Sequence, residues 1–273
     1  MGIPARKKRT GRKNATSPAV PAGKTSDVEA VRRRAKAIVR ILHKSYPDAT
    51  CALEHHDPFQ LLVATILSAQ CTDEAVNKVT PVLFARYPSP DKLAKADPAV
   101  VEQIIRPTGF YRQKTRSIIT ASHSIVETFG GTVPDTMEGL TSLPGVARKT
   151  ANVILGTAYG QEEGFVVDTH VGRLAHRLGL TWRSRDPKDA IKIEQDLCEV
   201  VPRSEWTFLG HALIWHGRRV CTARKPDCKA CELNRLCPSA FTFESSVKET
   251  VKKAAKAVSK AADKTVGVKK RQS

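Results

Sequence analysis

Apolar residues recur along most of this chain at intervals of three and four, and almost nowhere at intervals of two. Val28, Val31, Ala35, Ile38, Val39 and Leu42 make one helical stripe that begins after Asp27 and stops before Pro47. Asp57-Pro58-Phe59-Gln60 opens a more apolar helix through Leu61, Leu62, Ala64, Thr65, Leu67 and Ser68, with proline in the first turn, where its missing N–H costs nothing. A polar break, Ser68-Ala69-Gln70-Cys71-Thr72-Asp73, follows. Thr72 or Asp73 is placed to cap a helix carrying Val76, Val79, Leu83 and Phe84. Short helices are then punctuated at Pro88, Pro90, Pro98 and Pro107-Thr108-Gly109, before a helix with Ile118, Ile119 and Ile125. Further helices are expected over residues 190–201 and 206–219. The best strand candidate, Phe165-Val166-Val167, is too short to change the reading, so the pattern predicts an all-α fold.

The most informative stretch runs from Thr136 to His170. Asp135 with Glu138 three residues later reads as a capping box for a short helix bearing Met137, Leu140 and Leu143. Pro144-Gly145 ends it, and Ala151, Ile154, Leu155 and Ala158 form the stripe of a second helix, giving a helical hairpin. Arg148 and Lys149 fall in the first turn of that second helix, where the helix dipole disfavours cations. They make sense if an anion such as a phosphate binds the free N–H groups there. Asp168 reads as the N-cap of a helix with Val171, Leu174, Ala175 and Leu178 on one face. Capping alone accounts for it. A lysine amine and a carboxylate facing one cleft would, however, be the pairing that imine chemistry needs. Burial and the neighbouring Arg148 would help such an amine shed its proton.

Charge changes the picture mainly at the ends. The net +18 divides into +7 over residues 1–26, +6 over 241–273 and +5 over everything between. The core is thus ordinary, and two basic tails would add sequence-independent attraction to phosphate. Residues 1–27 form an acid-poor basic arm expected to be disordered, and 241–273 a Lys/Ala-rich tail whose apolar face is mostly alanine. No apolar run resembles a secretory h-region or a membrane span. An organelle or nuclear address in the basic N-terminus stays open beside a cytoplasmic, nucleoid-associated location.

Four of seven cysteines cluster as Cys221-x6-Cys228-x2-Cys231-x5-Cys237. Four thiolates within 17 residues suit a metal better than disulfides in a chain without a secretion signal. A single C-x2-C with unequal outer spacings is unusual for zinc but does not exclude it. Cys51, Cys71 and Cys198 read as small buried residues.

The Leu143-Pro144-Gly145-Val146-Ala147-Arg148-Lys149-Thr150-Ala151 hairpin with Val167-Asp168-Thr169-His170 downstream resembles the endonuclease III family of helix-hairpin-helix DNA glycosylases. The likeness runs over about residues 28–240 through five segments: the Gln70 loop, the Gly109 turn, the hairpin, the Asp168 segment and the four Cys. It implies two helical domains with a DNA-binding cleft between them. One is a six-helix barrel over 51–161 that holds the hairpin at about 136–158; the other is an iron–sulfur domain made of an N-terminal helix, 28–50, and residues 162–240. It implies one [4Fe–4S] cluster on Cys221, Cys228, Cys231 and Cys237. It also implies excision of damaged pyrimidines from double-stranded DNA, with Lys149 attacking the sugar C1′, Asp168 assisting proton transfer, and β-elimination at the abasic site through a Schiff base.

In that family the residue at Gln70 fills the gap left by an extruded nucleotide, and an apolar wedge sits at Phe110, where relatives commonly carry leucine. Arg112, with Lys114 and Arg116 nearby, would flank the wedge as phosphate contacts. Gly145, Ala147 and Arg148 would hold phosphate at the hairpin, and Arg224 and Lys225 would do so from the loop between the first two cysteines. Ala147 stands where the hairpin usually has a second glycine; it keeps its N–H, but a left-handed backbone there would be unfavourable. A monomer acting on damaged or abasic DNA, with no membrane partner, is expected. The alternatives are a monofunctional adenine or mismatch glycosylase and a non-catalytic helix-hairpin-helix DNA-binding protein.

Overall fold

The computed structural model describes residues 25–242, so the expectations for both basic tails lie almost wholly outside the described residues. Within that range the chain is helical, and no strand forms at Phe165-Val166-Val167. The helices are α1 (Thr25–Ser45), α2 (Pro58–Leu67), α3 (Asp73–Arg86), α4 (Pro90–Ala94), α5 (Pro98–Ile105), α6 (Tyr111–Phe129), α7 (Met137–Ser142), α8 (Arg148–Tyr159), α9 (Thr169–Arg177), α10 (Ala190–Val200) and α11 (Trp206–Arg219).

Two apolar cores organise them. The first draws on α2 to α8, with Leu61, Leu62, Leu67, Leu83, Ile105, Ile118, Ile125, Leu140 and Ile154 at its centre. The second joins α1 to α9, α10 and α11 through Ile38, Leu42, Leu174, Leu197, Leu209 and Leu213. The stripe on α1 therefore finds its partners more than a hundred residues downstream, and both ends of the described chain build one domain. Burying such stripes is what stabilises the helices, since short ones are marginal by themselves in water.

Local capping follows the sequence with one shift. Asp57 accepts from the Gln60 N–H at 2.8 Å ahead of Pro58, Thr72 from Ala75 at 3.2 Å, and Asp189 from Lys192 at 3.4 Å. The α7 cap is Thr136, whose Oγ1 accepts from the Gly139 N–H at 3.1 Å; Asp135 is not the cap expected from its spacing to Glu138. A Cβ on Gly139 would press into Pro134 and Thr136, so glycine is what lets this hydroxyl come close.

The two domains and the segment that crosses between them are fastened at several points. Glu162, in the crossing after α8, accepts from the Thr207 N–H at 3.1 Å and from its hydroxyl at 2.9 Å, capping the start of α11. Gly156 on α8 gives Thr207 room, because a Cβ there would collide with the Thr207 hydroxyl. On the other side of the crossing, Arg218 of α11 pairs with Asp73 of α3 at 2.6 Å.

Candidate nucleic-acid interface and active site

The hairpin turn depends on one glycine. Gly145 has φ +83°, and a Cβ there would meet the Ser117 Cβ of α6 at 2.9 Å, so both conformation and space require glycine. Val146 is buried and Ala147 follows as the α8 N-cap at φ −92°, ψ 166°, an extended conformation open to any residue. Alanine at this position is therefore unstrained. No side chain caps the first turn of α8 and no acid lies in it, so among the described residues its first N–H groups have no side-chain acceptor. That is the arrangement that binds phosphate.

The two cations of that turn part company. Lys149 is exposed, contrary to the expectation that burial would help deprotonate it. Arg148 leaves its side and pairs with Glu194 of α10 at 3.2 Å, an acid that also accepts from Asn152 Nδ2 at 3.2 Å. Lys149 instead lines a cleft of about 130 Å³ whose wall also includes Asp168, Cys51, Ser68, Asp73 and His211. Asp168 caps α9 as the sequence indicates, but only with Oδ1, which accepts from the His170 and Val171 N–H groups at 2.8 and 2.7 Å. Its second oxygen has no hydrogen-bond partner among the described residues. An amine and a half-engaged carboxylate thus share one cleft at the seam between the domains. His211 joins them as a neutral imidazole, because burial, with His55 adding to it, lowers its pKa to about 4.

A second, adjoining cleft of about 300 Å³ is lined by Gln70, Phe110, Lys114, Ser117 and Gly145. Gln70 (φ 55°) and Phe110 (φ 48°) both adopt the left-handed backbone that side chains rarely take. Phe110 is 66% exposed, so it is no core plug. Lys114 is not a surface phosphate contact: it is buried, donates to the Thr108 carbonyl at 2.8 Å, and has a pKa lowered by burial. Its ammonium props the Gly109 turn from beneath. Arg112 stays on the surface, 3.9 Å from Glu102.

The four cysteines gather in the second domain. Cys221, Cys228, Cys231 and Cys237 line one chamber with Leu174, Leu178, Val220 and Pro226. Among the described residues no three His, Cys, Asp or Glu side chains converge to hold a single ion. Burial first, with the neighbouring thiols adding to it, pushes Cys237 up to about 11. Four ionised sulfurs here would need a strongly positive group between them, which is what a metal site supplies. Arg177 adds buried positive charge: it donates to Cys221 Sγ at 3.1 Å and to the Thr222 and Ala223 carbonyls at 2.8 Å each. That grip leaves Arg224 and Lys225 exposed on the loop. Arg177 was detectable in sequence only as a cation in the last turn of an amphipathic helix, a position the dipole favours on any helix. Cys51 lies in the cleft that Lys149 and Asp168 share, with its thiol pushed up by burial, and neither Cys71 nor Cys198 is fully buried.

A helical hairpin with an open anion-binding helix start, beside an amine–carboxylate cleft, corresponds to a class of DNA repair protein: residues 63–203 match the model of the HhH-GPD superfamily base excision DNA repair proteins. Within that class the chain belongs to the endonuclease III family. It is 55% identical to an endonuclease III of Synechocystis over 77% of this chain and 94% of that protein. It is also 38% identical to the endonuclease III of Escherichia coli over 73% and 92% of the two chains. Among solved structures it resembles a non-covalent endonuclease III–DNA complex, with TM-score 0.72 and 38% identity, covering 78% of this chain and 98% of that one. A trapped endonuclease III–DNA covalent intermediate matches with TM-score 0.71 at the same identity, over 77% and 97%. No helix among the described residues is long and apolar enough to cross a membrane.

Proposed function

We propose that this chain is a base-excision repair enzyme that removes damaged pyrimidines from duplex DNA and then cuts the strand at the resulting abasic site. The placement of Lys149 and Asp168 on one cleft, beside the uncapped start of α8, is the observation that carries this reading. The sugar C1′ cannot be reached within the stack, so the nucleotide must be extruded into the cleft. Phe110, exposed on the turn after Gly109, would wedge the base step, and Gln70 would occupy the gap. The α8 amides with Gly145 and Ala147, Arg112, and Arg224 with Lys225 would hold phosphates on either side.

The Lys149 amine attacks C1′ as the C1′–N bond breaks, and the base departs with the bonding electrons and takes up a proton. Opening of the sugar ring gives a Schiff base between Lys149 and C1′. Loss of a C2′ proton then expels the 3′ phosphate by β-elimination. Asp168 Oδ2 is free to accept the proton that Lys149 must lose and to face the positive charge developing at the sugar. Because Lys149 is exposed in the free protein, the DNA that closes over the cleft supplies the desolvation.

The four gathered thiols of Cys221, Cys228, Cys231 and Cys237 suit a [4Fe–4S] cluster, which would staple the loop carrying Arg224 and Lys225. The Arg177 guanidinium would stabilise the Cys221 thiolate. The domains we assign are the barrel, 51–161, and an iron–sulfur domain of 28–50 with 162–240. The protein acts as a monomer on DNA in the cytoplasm.

Borohydride trapping on abasic duplex tests the assignment. Wild type should form a covalent complex, Lys149→Gln should form none while still binding DNA, and Asp168→Asn should slow base release while keeping the nucleophile. Persistent trapping by Lys149→Gln would overturn it.

A further inference from the structure

One face of α11 looks into the catalytic cleft. His211, Ile214, Trp215 and Arg218, spaced at three and four, all line it together with Lys149 and Asp168. Two of these residues are accounted for: Arg218 pairs with Asp73, and His211 is neutral and 3.4 Å from the Thr157 hydroxyl. Trp215 is not. Its neighbours Ala212 and Leu213 are fully buried, yet the indole itself is only partly covered. Its ring N–H has no acceptor among the described residues, whereas that of Trp206 donates to the Val201 carbonyl at 3.0 Å. The ring is nonetheless held in place. Arg219 lies over it at 4.3 Å, and Tyr46 meets it edge-on with centroids 6.4 Å apart and planes at 82°. A large aromatic plate, braced by a cation and a second ring, thus forms a wall of the cleft that holds the amine.

We propose that Trp215 is the stacking wall for the extruded base, and so a specificity-determining residue for planar damaged pyrimidines. This rests on the reading of Lys149 as the nucleophile. Stacking on an aromatic wall needs no particular pattern of donors and acceptors, which suits a site receiving chemically varied single-ring bases. Arg219 over the ring adds a cation–π contact that holds the indole in one orientation before the base arrives. The cleft of roughly 130 Å³ has room for several water-sized groups, and a six-membered ring entering it would lie against the indole.

The test uses the full chain, with Trp215→Leu and Trp215→Phe. Single-turnover excision is measured on a duplex carrying one 5-hydroxypyrimidine, and strand cleavage and borohydride trapping on a matched abasic duplex, which presents no base to the indole. Leucine should slow excision by about ten- to a hundredfold, the range expected for losing one base–aromatic stack, and phenylalanine should recover most of it. Cleavage and trapping at the abasic site should stay near wild type in both. Tryptophan fluorescence should fall when wild type binds the lesion duplex, and this quenching should be absent in Trp215→Phe.

Equal excision by wild type and Trp215→Leu would overturn the stacking role. So would parallel loss of excision and abasic cleavage in both variants, which would make the indole a support for the fold. Failure of the wild-type protein to trap abasic DNA would instead sink the Lys149 reading, so the two failures are separable.

Discussion

Gln70 and Phe110, forty residues apart in sequence, are both held in left-handed backbone conformations and line the same cleft, across from the Gly145 turn. A non-glycine residue in that region costs on the order of 1–3 kcal/mol, and such strain persists only where the surroundings over-determine it. Phe110 follows Gly109 (φ 68°) and precedes α6, with Lys114 hydrogen-bonded beneath the turn. The strain aims an exposed aromatic ring at solvent, an arrangement that brings no gain to the isolated protein.

Replacing Phe110 by glycine should therefore stabilise the fold by about 1 kcal/mol, since the strain is relieved and an exposed ring leaves no cavity. Single-turnover excision should slow by at least about tenfold, through loss of the wedge. Urea denaturation and a gel-based excision assay check the two arms. A less stable variant with unchanged excision would make Phe110 a structural plug.

The Glu194–Asn152–Arg148 cluster should govern how firmly α8 is seated. Asn152 is buried, and Gly164 leaves the space in which its amide meets Glu194. Glu194→Ala should cost about 1–3 kcal/mol by stranding the Asn152 amide. Gly164→Ala should cost a similar amount by overpacking. Both are read from urea midpoints, and Arg148→Ala, which removes a largely exposed partner, should change the midpoint far less.

Acid should weaken the fold in part through His211. Its pKa is about 4 in the folded protein against an ordinary 6.5, so the unfolded chain takes up the proton first as pH falls. The stability is fully present above about 6.5 and is lost as pH drops toward 4, by up to about 3 kcal/mol. His211→Gln should flatten this slope between pH 7 and 5 in denaturation measurements.

Anaerobically purified protein should be brown and carry about four irons per chain. Cys228→Ser should lose most of that iron and much of the stability of the second domain, seen as an earlier thermal transition. A colourless protein with one zinc would replace the cluster by a single ion.

Much of the helical framework is legible in the sequence because its causes are local. The stripe on α1, proline at the start of α2, Thr72 before α3 and Asp168 before α9 each act within a few residues of themselves, and the structure keeps them. The Thr136 cap differs from the expected Asp135 because both residues suit the role at neighbouring positions, and the helix start decides between them by a single residue.

The sequence by itself determined the all-α pattern, the helical hairpin, and the clustering of four thiols. Spacing along one chain carries that information. Only the tertiary structure decided that Lys149 is exposed, that Arg148 turns to Glu194, and that Lys114 is a buried prop. The same holds for Trp215, which faces the cleft from the other domain, and for Arg177, which grips the cysteine loop. Each of these depends on partners 40 or more residues away or on which face of a helix is covered, and no local period encodes either.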